Sequence, residues 1–76
     1  MAHGSDSPEA RAGAKLRALR KSRRVRLVDV ARHAGMDVSL VAKVERGVTA
    51  TTLERYELLA ESVGTTLSNL FRRTAA

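Results

Sequence analysis

The chain has no cysteine and no tryptophan, and among its 76 residues only one tyrosine, one phenylalanine and one proline. Without cysteine there is no disulfide and no thiolate metal site. His3 and His33 are too few and too far apart to suggest a metal site of another kind, so neither a metal nor any other cofactor is expected. So few aromatic rings leave the core to Leu, Val and Ala, which favours small packed helices. No apolar run approaches the ~20 residues of a membrane span. The opening MAHGSDSPEA has no apolar stretch of the kind found in a secretory signal. The expectation is a cytoplasmic protein with no membrane partner. Ser22, Ser39 and Ser62 have no His and acid at a spacing suited to nucleophilic catalysis, and no Gly-rich phosphate loop is present. Nothing points to an enzyme.

What the chain does have is positive charge. Lys and Arg number 14 against eight Asp and Glu, for a net charge of +6. A basic domain of this size is expected to bind a polyanion, most often nucleic acid. Nine of the 14 basic residues fall between Arg11 and Arg32, whereas Glu54, Glu57 and Glu61 cluster later. One basic side and one more acidic side suit docking on DNA better than a uniform coat. A chain this short buries little, so association with a second copy is a natural supplement.

The periodicity reads as five helices with no alternating strand pattern, after an arm over residues 1–7. Residues 8–76 form one domain. Ser7-Pro8-Glu9 starts the first helix by capping, by a proline at its first position and by an acid at the positive end of the dipole. It runs to about Arg23, with Ala12, Leu16 and Leu19 inward. The second spans about Leu27 to Ala34, with Asp29 able to help cap it. The third runs from a cap at Asp37 to Glu45, the fourth from Thr51 or Thr52 to Val63, and a short fifth follows Thr66. Gly35, Gly47 and Gly64 are the stops. In the fourth helix Leu53, Tyr56, Leu59, Ala60 and Val63 face inward and Leu58 outward.

The stretch VARHAGMDVSLVAKVERG, Val30 to Gly47, carries the most information. Two short helices broken at a glycine form the unit that sets its second helix into the DNA major groove. Ala31 falls four residues before Gly35, where a small side chain lets the helices touch. Val41 and Val44 follow at the positions where the second helix must turn inward, and Met36 packs at the turn.

Four blocks, GAKLRALRKSR, DVARHAG, LVAKVERG and LERYELLAESVGTTLSNLF, together resemble the phage-repressor and Cro type of helix-turn-helix domain, also called the xenobiotic-response-element family. The likeness covers about Ala12 to Arg73. It implies an all-α, five-helix, lambda-repressor-like fold. It implies a sequence-specific regulator of transcription, such as a repressor, bound as a homodimer to a palindromic operator in double-stranded DNA, where it competes with or recruits RNA polymerase. Free-standing members of about this length include Cro-like repressors and the controller proteins of restriction–modification systems. The family positions that point toward bases or nearby phosphates hold Val38, Ser39, Leu40, Ala42 and Lys43. Three of the five are apolar. The Gln, Asn and Arg that read bases through paired hydrogen bonds are missing, so thymine methyl contacts, Lys43 and DNA shape are expected to carry specificity. Leu40 has an alternative place, buried against the second helix.

Phosphate contacts are expected from Arg23, Arg24 and Arg26 before the second helix and from Arg46 after the third. The family usually has a Ser or Thr cap followed by Gln where this chain has Arg26 and Leu27. Arg20 and Glu45 match a pair that often forms a structural salt bridge between helices 1 and 3. Leu58, Leu67, Leu70 and Phe71 are candidates for the dimer contact, with closure of the monomer core as the alternative for the last three. A rival within binding modules is a protein-interaction domain of the same fold, such as an antitoxin, favoured by the apolar face of helix 3. A basic helix lying on anionic membranes is disfavoured by the small apolar face of Pro8 to Arg23.

Overall fold

The computed structural model describes residues 7–73, and the arm expected over residues 1–7 lies, apart from Ser7, outside them. Five helices follow in order: α1 (Pro8–Ser22), α2 (Leu27–Ala34), α3 (Val38–Glu45), α4 (Leu53–Ser62) and α5 (Leu67–Phe71). The starts are chemical. Ser7 Oγ accepts the Ala10 amide at 3.0 Å with Pro8 at the first helical position. Thr52 Oγ1 accepts the Arg55 amide at 3.1 Å, and Thr66 Oγ1 the Asn69 amide at 3.0 Å. Each bond satisfies one of the amides that a helix start leaves without an internal partner.

Two expected caps differ. Asp37 stands at the N-cap of α3 in extended conformation, but its side chain makes no capping bond. Asp29 does not cap α2 either, because its carboxylate is held by two arginines.

Helix α1 packs on α3 and α5, α2 packs on α3 and α4, and α4 closes on α5. The core is aliphatic, as the composition requires. Leu16, Val30, Val41, Val44, Leu59 and Ala60 are fully enclosed, with Ala12, Ala31, Ala34, Val63 and Leu70 around them. Fully burying one such Val or Leu contributes about 1.5–3 kcal/mol. The two aromatic rings meet edge to face, Tyr56 to Phe71 at 5.0 Å between centroids. Leu19 is only half-buried at the rim.

Leu53 corrects the inward face expected for α4. It is 66 % exposed, because it opens the helix one turn before Tyr56, beyond the reach of the packed elements. Leu58 is also corrected: it is half-buried and packs against the core instead of pointing outward. Leu70, taken as a dimer candidate, is 1 % exposed and belongs to the monomer core. No helix among the described residues is long and apolar enough to cross a membrane.

Helices α1 and α3 approach each other at backbone distance at Gly13. A Cβ built there falls 2.0 Å from the Val44 carbonyl oxygen and 3.0 Å from its carbon. The obstacle is backbone, so no rotamer change relieves it. The hydrogen at Gly13 therefore lets the second half of α3 lie directly on α1. In an exposed helix, Gly→Ala is worth roughly 0.5–1 kcal/mol of added stability. Here the sign should reverse: Gly13→Ala is expected to lose about 1–3 kcal/mol by overpacking. Urea unfolding followed by circular dichroism measures it, and unchanged or raised stability would contradict the close contact.

Candidate nucleic-acid interface

The turn between α2 and α3 depends on backbone conformation. Gly35 lies in the left-handed region (φ 66, ψ 38), where an L side chain is disfavoured. Its amide and that of Met36 donate back to the Arg32 and Ala31 carbonyls, closing α2 and turning the chain into α3. Ala31 is 2 % exposed between the helices. Met36 is half-buried against the core, as the motif requires.

Helix α3 is then divided by its own period. Val41, Val44 and Glu45 are buried. Val38, Ser39, Lys43 and the following Arg46 are exposed, while Leu40 and Ala42 are half-buried. Leu40 is not part of the packed core, so the alternative of burial against α2 holds only in part. Val38 is 40 % exposed. The outer face is therefore apolar at its start and cationic at its end.

One ion pair fixes the orientation of this face. Arg20 on α1 holds Glu45 at the end of α3 through two parallel bonds, Nε to Oε2 at 2.8 Å and Nη2 to Oε1 at 3.0 Å. Arg20 Nη1 also donates to the Val25 carbonyl at 3.3 Å. One guanidinium thus ties together α1, the α1–α2 connection and α3. The side chains are 13 % and 3 % exposed, and the carboxylate and its hydrogen bonds hold the Arg20 pKa above its ordinary value.

The other basic residues divide into two groups. Arg23 Nη1 donates to the Val63 carbonyl at the end of α4, a favourable place for a cation at a helix C-terminus. Arg26 forms a pair with Asp29 at 2.9 Å, and Arg32 reaches the same carboxylate at 3.1 Å. The hydrogen bond from Arg26, with the charges of both arginines, holds the Asp29 carboxyl below its ordinary value. Lys15 Nζ donates to the Asn69 carbonyl of α5 at 3.0 Å. The side chains of Arg24, Lys43 and Arg46 are exposed and have no hydrogen-bond or ion-pair partner among the described residues. Of the cluster expected to touch phosphate, Arg23 is engaged by a carbonyl and Arg26 by an exposed ion pair, while the side chains of Arg24 and Arg46 have neither among the described residues. Sequence reasoning offered no sign of this division, since it depends on which carbonyl or carboxylate lies opposite each side chain.

The α5 candidates separate similarly. Leu70 is enclosed and Phe71 is half-buried against Tyr56, while Leu67 is half-buried at the rim. The most exposed large apolar side chains are Val48, within the α3–α4 loop, and Leu53, at the start of α4, with Val28 and Val38 less so. The sequence marked neither Val48 nor Leu53 as surface. His33 on α2 meets Glu61 on α4 at 3.2 Å in an exposed contact. No metal-binding group of His, Asp and Glu forms among the described residues.

This arrangement is a helix-turn-helix whose second helix is packed by one face and open on the other. Consistently, the family model for the helix-turn-helix domain matches residues 11–70, and the chain belongs to that family. The family is one of DNA-binding domains used in the regulation of transcription. Comparison with curated proteins and with solved structures gave no match.

If the bridge holds α3 in place, breaking it from one side should be severe. Glu45→Ala leaves Arg20 unpaired and is expected to lose about 3–5 kcal/mol, a large part of the stability of so small a domain. Replacing both partners with apolar residues of similar size, Arg20→Met with Glu45→Leu, should recover most of that loss. Denaturant unfolding of the two variants measures both effects. A loss below about 1 kcal/mol for Glu45→Ala would contradict a fold that depends on the pair.

Proposed function

We propose that the protein is a sequence-specific regulator that binds double-stranded DNA as a homodimer, with α3 in the major groove of each half of a palindromic operator. The observation that carries this is the two-sided character of α3. Val41, Val44 and Glu45 lock one side to the domain, leaving Val38, Ser39, Lys43 and Arg46 outward with Leu40 and Ala42 at the margin. Val38, Leu40 and Ala42 meet thymine methyl groups, Ser39 bonds a base or a phosphate, and Lys43 reaches guanine acceptors or a phosphate. Arg24 and Arg46, which are not neutralised within the fold, contact the backbone. Two copies are needed because one short helix reads too few base pairs for a useful specificity ratio. The half-sites lie about one DNA turn apart, ~10 bp centre to centre. Leu58, Leu67 and Phe71, still partly accessible, form the contact between copies. Occupancy of the operator blocks or recruits polymerase.

The test is binding-site selection from random duplexes, followed by titration of the selected site at several salt concentrations. Replacing a contacted thymine with deoxyuridine removes one methyl and should weaken binding about fourfold, the equivalent of ~0.8 kcal/mol per buried carbon. Lys43→Ala should either relax preference at one position or make the log–log salt dependence shallower by about 0.9. Absence of duplex binding at low salt would overturn the reading in favour of a protein partner, the antitoxin-like alternative.

A further inference from the structure

Helices α1 to α4 end in one hydrogen-bonded form. In each, the amide at the left-handed position donates to the carbonyl three residues back, and the next amide donates to the carbonyl five residues back. For α2 the bonds are Gly35 to Arg32 and Met36 to Ala31; for α3, Gly47 to Val44 and Val48 to Lys43; for α4, Gly64 to Glu61 and Thr65 to Ala60. In α1 they are Arg24 to Lys21 at 3.1 Å and Val25 to Arg20 at 2.9 Å. Glycine holds the left-handed position three times, at φ 66, 75 and 78. Arg24 holds it once, at φ 59, and is the one non-glycine residue with positive φ among the described residues.

A side chain at that position strains the backbone, and glycine would relieve it. No hydrogen bond or ion pair of the Arg24 side chain among the described residues offsets the strain. The Arg24 side chain is exposed and has no partner among the described residues, whereas Arg23 and Arg26 on either side both have one. The turn is rigid all the same. Two backbone bonds close it, and the Val25 carbonyl is held by the guanidinium that also holds Glu45. Arg24 is therefore fixed at its base and free at its tip, on a connection tied to the end of α3 where Arg46 also stands free. A cation rooted in a rigid turn has only its side chain left to order when it meets an anion.

We propose that Arg24 is a dedicated anchor for a DNA backbone phosphate, and that its left-handed conformation trades stability of the free protein for affinity. This rests on the DNA-binding reading above. Three variants of the full chain separate the two halves of the trade: Arg24→Gly, Arg24→Ala and Arg24→Lys, each followed by thermal melting and by binding to the selected duplex across a range of salt. Arg24→Gly should melt about 4 °C higher and bind roughly tenfold more weakly at 0.1 M salt, with a log–log slope shallower by about 0.9. Arg24→Ala should lose the same affinity without the rise in melting temperature, because the strain stays. Arg24→Lys should keep the wild-type slope. If the wild type binds and Arg24→Gly binds it equally well with the same slope, Arg24 is no phosphate contact and only this inference falls. A melting temperature that does not rise in Arg24→Gly refutes the trade. If the wild type binds no duplex at low salt, the DNA reading falls and this inference with it.

Discussion

The Arg20–Glu45 pair is the interaction on which the rest of the arrangement depends. A carboxylate as enclosed as that of Glu45 is stable inside an aliphatic domain only when its charge is matched and its oxygens are bonded. Arg20 does both, through a planar fork that fits the carboxylate in one orientation. The fork fixes how α1 and α3 lie relative to each other. Gly13, about two helical turns before Arg20, makes the same contact possible at backbone distance. Polar specificity at one end of the α1–α3 contact and the absence of a side chain at the other leave α3 little freedom to roll. In the proposed reading α3 must present a constant face to DNA, and that constancy comes from the face turned away from solvent.

Charge is distributed according to the same economy. The chain carries a net +6, yet much of the positive charge around α1 and α2 has a partner in the chain: Lys15 and Arg23 on carbonyls, Arg20 on Glu45, and, at the surface, Arg26 and Arg32 on Asp29. Carbonyl partners leave the charge itself uncancelled, so Lys15 and Arg23 still add to the long-range field that attracts a polyanion. Close contact is a different matter. It needs donors not already committed, which in the proposed reading are Arg24, Lys43 and Arg46. Exposed charges are screened within ~8–10 Å at ordinary ionic strength, so position counts for more than the sum.

Much of the fold was legible in the sequence because its signals are local. The starts at Ser7, Thr52 and Thr66 and the stops at Gly35, Gly47 and Gly64 are short-range chemistry, and the structure places helix boundaries beside them. Val41 and Val44 could be assigned inward by helical period alone. The Arg20–Glu45 pair followed from a family likeness and is present in the expected form. What escaped was everything set by the neighbour across the gap. The period of α4 puts Leu53 on the inner face, but no element reaches its first turn. Leu58 lies off that face, yet the core extends to it. Gly13 reads as a weak point in a helix until Val44 is placed opposite. Arg24 carries no glycine signal, and the end of α1 is closed by the left-handed turn regardless. For the site, the sequence located the exposed side of α3 and the basic cluster, but it could not separate arginines that hold the fold together from those left open to a ligand.

The central claim is that the outward face of α3, oriented by the Arg20–Glu45 pair, is the surface that meets DNA. Backbone amide chemical shifts followed during titration with a selected duplex test it most directly. The account predicts that the largest changes fall on residues 38–43, on Arg46 and on the turn around Arg24, with the interior of α1 undisturbed. Changes concentrated around Val48, Leu53 and α5, with residues 38–43 unmoved, would contradict it.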